Sequence, residues 1–396
     1  MNKQQLYKTR ISAAGFYFVM GLIFASWASR IPDIKFMLRL SDGDLGQALF
    51  AIPAGQLGMM FLSGYLVNRL GSRITLLVSI VMYAVILTLI ALSDGFWMLF
   101  SVLFLFGAAA NTANIAVNTQ ASALELLYGR NIMASFHGLW SLGGLLGGVL
   151  GALFARTDYS VFTHFVFVAT AGIVGIAVAG RNLLSHDTTE VGEKAKRFAL
   201  KPDRVIVILG LIGFAGMFCE GTMFDWSSVY FASVVKPDES LIRMGYIAGM
   251  GAMTLGRFVA DRLVTRYQAS TVLKGCGLLV TAGLLLATII PGLICSTIGF
   301  LLVGLGVSSI VPICYSAAGK SGTMAASIAI TVVSSISFLG FMIGPPLIGL
   351  LSEATDLRIA LAVASLFGVV IFVLSQKFQT MKIATHENRS FGNLGG

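Results

Sequence analysis

The chain has 396 residues, 56% of them hydrophobic and only 11% charged, with a net charge of +9. Soluble domains carry about 25% charged residues, so this composition excludes a water-soluble globule and requires lipid as the solvent. Helices and closed barrels alone satisfy their backbones in lipid. The apolar runs here are continuous and lack the roughly 10-residue alternating segments of barrel strands, which excludes a barrel.

The basic N-terminal segment MNKQQLYKTRISAAG leads into a long apolar run with no small-residue cleavage site, so it reads as a retained first span and not a signal peptide. From there the hydropathy pattern predicts an all-α integral membrane protein of twelve spans. They cover about 11–36, 42–68, 73–92, 96–125, 131–155, 160–182, 204–234, 241–264, 270–289, 292–317, 322–352 and 357–377. Gly, Pro, Asp or basic residues mark the breaks. The longest break, LLSHDTTEVGEKAKRFALKPD, is polar and of mixed charge, and gives four expected regions. These are an N-terminal six-helix bundle (1–182), a cytoplasmic linker (183–203), a C-terminal six-helix bundle (204–377) and a cytoplasmic tail (378–396).

With the N-terminus inside, 20 of the 27 Lys and Arg fall on one side of this topology. The asymmetry predicts a multi-pass protein of the inner (cytoplasmic) membrane with both termini cytoplasmic. The same dispersal through short loops argues against nucleic acid as the partner of the positive charge. Cys219, Cys276, Cys295 and Cys314 lie in apolar stretches without CxxC spacing, so they read as small buried hydrophobes, and no metal site or cofactor is expected.

An internal repeat supports the six-plus-six division. GYLVNRLGSR (64–73) follows span 2 and GRFVADRLVTR (256–266) follows span 8; aligning Asn68 with Asp261 also aligns Arg69 with Arg262 and Arg73 with Arg266, at an offset of 193. These residues resemble the signature of the major facilitator superfamily of secondary transporters. That signature is Gly, three residues, Asp-Arg, one residue, Gly, then basic residues. Gly64, Arg69, Gly71 and Arg73 match it, Asn68 stands in the acidic position, and the second copy keeps Asp261-Arg262 but lacks the later Gly. The resemblance implies two pseudo-symmetric six-helix bundles and a gating role for this loop. Asn68 can hydrogen-bond there but cannot form an ion pair. The segments ASWASRIPDIK, AVNTQASALE, FHGLWSLGG, EGTMFDW and GPPLIG further resemble a bacterial inner-membrane subgroup, the YbjJ-like transporters. Span 5 (SLGGLLGGVLGALF) has no proline, unlike the Gly-Pro-containing span 5 of proton-driven drug exporters in the superfamily.

Two acids interrupt the apolar stretch 205–235, namely Glu220 and Asp225. An ionisable group there costs roughly 2.5–3.5 kcal/mol on insertion scales and usually faces a wet pathway. A carboxyl in low dielectric is driven towards its proton-carrying form, so both are read as proton-coupling groups, with His137 of span 5 as a titratable relay. The alternatives are structural carboxylates and a hydrogen-bonded packing histidine. Asn111, Asn114 and Asn118, spaced 3 and 4, share one face of span 4. Their amides suit a hydroxyl- or amide-bearing solute, or else bind helix to helix. Trp140, Trp226, Ser308 and Tyr315 are further candidate solute contacts. Arg30 either binds an anionic group or snorkels outward. Glu125 and Arg130 read as pinning the span 4–5 turn. The glycines 143, 144, 147, 148 and 151 read as close helix packing.

The expected function is secondary active transport of a small polar organic solute by alternating access, as a proton-coupled symporter acting as a monomer in the lipid bilayer. A proton-coupled exporter of drug-like compounds or metabolites is the alternative. A membrane enzyme is disfavoured because HExxH and GxSxG are absent, an ATP-driven pump because GxxxxGK[ST] is absent, and a sensor because no signalling domain follows residue 377.

Overall fold

The computed structural model describes residues 3–129, 132–157, 159–185, 203–320 and 326–392. The chain runs α1 (Lys3–Ser29), α2 (Ile31–Met37), α3 (Asp42–Leu70), α4 (Ser72–Ile90), α5 (Phe96–Tyr128), α6 (Met133–Arg156), α7 (Val161–Ala179), α8 (Arg204–Tyr230), α9 (Met244–Tyr267), α10 (Ala269–Ile289), α11 (Leu293–Val307), α12 (Ile310–Gly319), α13 (Ala326–Ala354) and α14 (Leu357–Gly392). No strand occurs among the described residues.

Eleven of these stretches are long and apolar enough to cross a membrane, α11 and α12 together making one of them. The twelfth expected span is α9. It has 24 residues but falls short in apolarity, because Arg257, Asp261, Arg262 and Arg266 crowd its second half. Two expected spans are broken. Span 1 stops at Ser29 and restarts as α2, with Pro32 in the first turn of the new helix, where its missing N–H costs nothing. Span 10 breaks at Ser308–Ser309 into α11 and α12. There Ser308 Oγ donates to the Leu305 carbonyl at 2.7 Å. The last helix runs well past the expected end of span 12, to Gly392.

Local chemistry sets the ends. Ser41 caps α3 in a reciprocal capping box with Asp44. A single residue, Gly71, joins α3 to α4 at φ +81°, a conformation that a side chain resists. Glu125 on α5 accepts hydrogen bonds from the backbone N–H groups of Ile132 and Met133, both at 2.9 Å. It thus caps the start of α6 and pins the turn between spans 4 and 5; its expected partner Arg130 lies outside the described residues.

The chain packs as two compact units. The first is Met1–Arg197 with Asp225–Gly251, and the second is Phe198–Phe224 with Ala252–Gly396. Within each, glycine lets backbones meet, as expected where no hydrophobic force draws helices together in lipid. In the first unit a Cβ at Gly21 would strike the Trp140 carbonyl, one at Gly143 the Phe18 carbonyl, and one at Gly55 the Phe104 carbonyl. In the second a Cβ at Gly340 would strike the Phe214 carbonyl, and Gly277 and Gly368 face each other across α10 and α14. Spans 1 and 5 of the first half and spans 7 and 11 of the second therefore use the same close crossing.

Helix α6 presents two glycine faces. Gly143, Gly147 and Gly151 lie against Phe18, Ala25 and Ser29 of α1, whereas Gly144 and Gly148 lie against Met250 and Tyr246 of α9. Gly55→Ala is expected to lower the detergent melting temperature sharply, by the equivalent of about 1–3 kcal/mol of overpacking. Gly64→Ala, where nothing lies within 4 Å of the added carbon, should leave it within experimental error.

Candidate functional site

In the second unit, Glu220 of α8 meets Arg257 of α9, with Arg257 Nη2 3.3 Å from Glu220 Oε1. The carboxylate side chain is 13% exposed and the guanidinium side chain 24%. Glu220 lies about 24 Å along α8 and Arg257 about 20 Å along α9, at roughly 1.5 Å per residue, so both sit near the middle of their helices. Arg257 lies inside expected span 8 (241–264), and the structure places its head on the Glu220 carboxylate. Tyr315 of α12 is half-buried in the same unit. Ser308 is engaged elsewhere: it shares a 3.1 Å hydrogen bond with Ser309, and it packs where a Cβ on Gly256 would collide with its hydroxyl.

Asp225, five residues on, falls in the first unit. It is 5% exposed, and among the described residues it has neither an ion pair nor a hydrogen-bond partner. The neighbouring Trp226 Nε1, Ser227 Oγ and Ser228 Oγ are likewise buried without partners. Trp226 is fully buried, so its ring sits inside the protein and not in an interfacial belt.

The first unit also gathers a polar string. The Tyr17 hydroxyl of α1 donates to Asn118 Oδ1 at 2.6 Å. Asn118 Nδ2 donates to the Asn114 carbonyl at 2.9 Å and to the Asn114 side-chain oxygen. The His137 ring of α6 meets Tyr17 edge-on with centroids 5.4 Å apart, and Trp140, one turn further along α6, meets Phe24 of α1 at 5.9 Å. Asn114 and His137 are exposed, and Asn118 and Trp140 are half-buried. Asn111 is drawn off this string: its Nδ2 donates to Ser63 Oγ of α3 at 3.2 Å, in a buried hydroxyl cluster with Thr112. Tyr17 was not singled out from sequence. The available signal was its spacing of seven residues, two turns, from Phe24, which puts both rings on the face of α1 that meets α6.

Arg30 does not snorkel. It is buried, with Nη1 3.2 Å from Asp33, Nη2 donating to the Tyr159 carbonyl at 3.0 Å and Nε to His164 Nδ1 at 3.3 Å. Burial lowers its pKa, and the Asp33 carboxylate opposes that fall; a guanidinium stays charged through such shifts.

At the α3–α4 turn, Gly64 stands in open space and Asn68 is exposed. Arg69 donates to the Tyr65 hydroxyl at 2.7 Å and lies over that ring, and Arg73 reaches the Arg181 carbonyl at 3.5 Å. Arg262 is exposed, and the Asp261 side chain lies outside the described residues. Gln120, which the sequence did not mark as structural, clamps two elements. Its Nε2 donates to Ser72 Oγ at 2.6 Å and to the Leu184 carbonyl at 3.0 Å, while its Oε1 accepts from the Leu184 N–H at 3.0 Å.

Eleven long apolar helical stretches, with Glu220 and Arg257 paired on neighbouring helices, define a multi-pass membrane protein. The Major Facilitator Superfamily model matches residues 11–332. The chain is 31% identical over 369 residues to an uncharacterized transporter, y4wD, of Sinorhizobium fredii, covering 92% of this chain and 96% of that one. It is 32% identical to an uncharacterized MFS-type transporter of Yersinia pestis, covering 90% and 91%. Among solved structures, a mutant of the nucleoside transporter NupG superposes with a TM-score of 0.77 over 94% of this chain and 99% of that one, at 13% identity. That likeness is one of fold. The chain belongs to the major facilitator superfamily, whose members carry small solutes across membranes.

A double-mutant cycle of Tyr17→Phe and Asn118→Ala, followed by thermal melting in detergent, is expected to give a coupling of about 1 kcal/mol for the bond that joins α1 to α5. Additive effects would remove that bond from the fold.

Proposed function

We propose that the chain is a secondary active transporter that moves a small polar organic solute by alternating access in symport with protons. It would act as a monomer in the inner membrane with both termini cytoplasmic, and belong with the YbjJ-like transporters. The observation that carries the reading is the Glu220–Arg257 pair, an acid and a base meeting mid-helix where lipid excludes unpaired charge. A mid-membrane polar site is where such transporters hold their cargo.

In this reading the ion pair persists while Glu220 is ionised. A proton arriving at Glu220 removes its charge and frees the guanidinium to turn to a polar group of the solute. Deprotonation on the other side restores the pair and expels the solute. Asp225 and His137 serve as further proton sites. Asn114, Asn118 and Trp140 line the solute path in the first unit and Tyr315 in the second; Asn111, Ser308, Trp226 and Arg30 support it from protein-facing positions. Gly64, Asn68, Arg69, Gly71, Arg73, Asp261 and Arg262 form the paired gating turns. Residues 183–203 link two bundles of six spans.

Proteoliposome uptake with a panel of polar metabolites, with and without an inward pH gradient, tests the reading. The panel should include nucleosides, the solutes of the structural neighbour NupG. Glu220→Gln, which mimics the protonated state, is expected to abolish gradient-driven accumulation at least tenfold while solute exchange survives. Unchanged accumulation removes Glu220 from coupling.

Stability gives a second, transport-independent check. Removing one partner of a buried pair strands the other charge, at about 3–5 kcal/mol. Glu220→Gln and Arg257→Gln are therefore each expected to melt well below the parent, and the double variant to recover most of the loss while remaining uncoupled.

A further inference from the structure

A cavity of about 550 Å³ lies in the first unit and takes none of its walls from the residues of the candidate site. One wall is α2 with the turn that follows it, where Lys35, Phe36, Met37 and Arg39 stand. The other is the end of α8 and the π-helical turn beyond it, including Val229 and Ser233. Two cations thus meet a lining that is otherwise apolar or small, and among the described residues no acid joins it.

The turn after α2 is built around Arg39. The Arg39 N–H donates to the Phe36 carbonyl at 3.2 Å and the Leu40 N–H to the Lys35 carbonyl at 3.0 Å. This pair of bonds closes a helix whose next residue is left-handed, a place that glycine ordinarily fills. Arg39 holds it at φ +52°, a conformation that a side chain resists. No protein contact offsets this strain: Arg39 is exposed and has neither a hydrogen-bond nor an ion-pair partner among the described residues. Lys35 Nζ lies 2.8 Å from Asp42 Oδ1 and stays partly exposed.

We infer that this cavity is a headgroup site for an anionic phospholipid, whose phosphate meets Arg39 and Lys35 while its chains run over Phe36 and Met37. The surroundings of the cations favour a lipid over a free anion. Phe36 is 87% exposed and Met37 47%, so apolar surface that nothing in the unit covers adjoins both charges. A bare phosphate meets the cations and leaves that surface uncovered; a phospholipid covers both. The cavity has the size of a site for a small organic group, and basic pockets at helix ends attract anionic headgroups. The Ser233 hydroxyl is taken up by the Val229 carbonyl at 2.8 Å, so the anion is held from the α2 wall. The bound lipid braces α2 against the end of α8. The inference does not depend on which solute or ion is carried.

The full chain in neutral detergent is titrated with phosphatidylglycerol, phosphatidylcholine or inorganic phosphate. Bound lipid is counted by native mass spectrometry and the melting temperature is followed in parallel. Phosphatidylglycerol alone is expected to fill one saturable site and to raise the melting temperature. Lys35→Gln should weaken its binding about fivefold, the response to about 1 kcal/mol for one cation, and Arg39→Gly at least as much. Arg39→Gly also relieves the left-handed strain, so without lipid it should melt at or above the parent, which separates loss of the site from loss of the fold. Phe36→Ser should weaken the lipid as well, whereas Arg156→Gln, which removes an exposed cation at the end of α6, should bind as the parent does. Parental phosphatidylglycerol affinity in Arg39→Gly overturns the proposal, whether or not Lys35→Gln folds. An equal response to inorganic phosphate that Phe36→Ser leaves unchanged also overturns it and marks the cavity as a free-anion site.

Discussion

Charge inside hydrocarbon must be neutralised, and the interior chemistry of this chain follows from that rule. A lone ion in low dielectric loses far more hydration than local dipoles return. The chain sets its buried acids in three surroundings. Glu220 is given Arg257 from the neighbouring helix. Arg30 and Arg243 share Asp33. Asp225 is buried with neither an ion pair nor a hydrogen-bond partner among the described residues.

The scaffold holding these groups is built from absence of side chain. Attraction between helices in lipid comes from close contact and not from expulsion of water. Glycine at each main crossing brings backbone carbonyls against Cα, at Gly21, Gly55 and Gly143 in the first unit and at Gly340 and Gly277 in the second. The recurrence of the span 1–5 crossing as a span 7–11 crossing shows that the sequence repeat found near Asn68 and Asp261 extends to three-dimensional packing. With its crossings fixed this tightly, each unit offers its polar side chains from a rigid frame.

Much of this was legible beforehand. Hydropathy located the spans, because lipid imposes a length and a composition that the chain cannot avoid. Its errors are instructive. It ran span 1 through Arg30 because the polar residues after Ser29 are too few to lower a window average, whereas the helix breaks there to aim Arg30 and Asp33. It could not pair Arg257, which lies inside expected span 8, with Glu220, because the two meet only through the packing of α9 against α8. The stripe of Asn111, Asn114 and Asn118 was visible from spacing, but spacing could not foresee that Ser63 would claim Asn111 while Tyr17 claimed Asn118. The partners lie on other helices, and each choice depends on the angle at which those helices cross.

Helix α6 behaves differently on its two sides. Towards α1, Gly143 and Gly147 meet the carbonyls of Phe18 and Leu22, seated where side chains would be, and Gly151 meets the Ser29 side chain; such a surface is a weld, since a slip drives Gly143 and Gly147 into backbone. Towards α9 the glycines face the tips of Met250 and Tyr246. Methionine re-forms its contacts by rotating three soft torsions, so this side is the more adaptable of the two. The same five glycines thus give α6 a rigid seam towards the first helix and a softer one towards α9. Any bulk grafted onto Gly144 or Gly148 would therefore press on the Met250 thioether or the Tyr246 ring and leave the seam with α1 untouched.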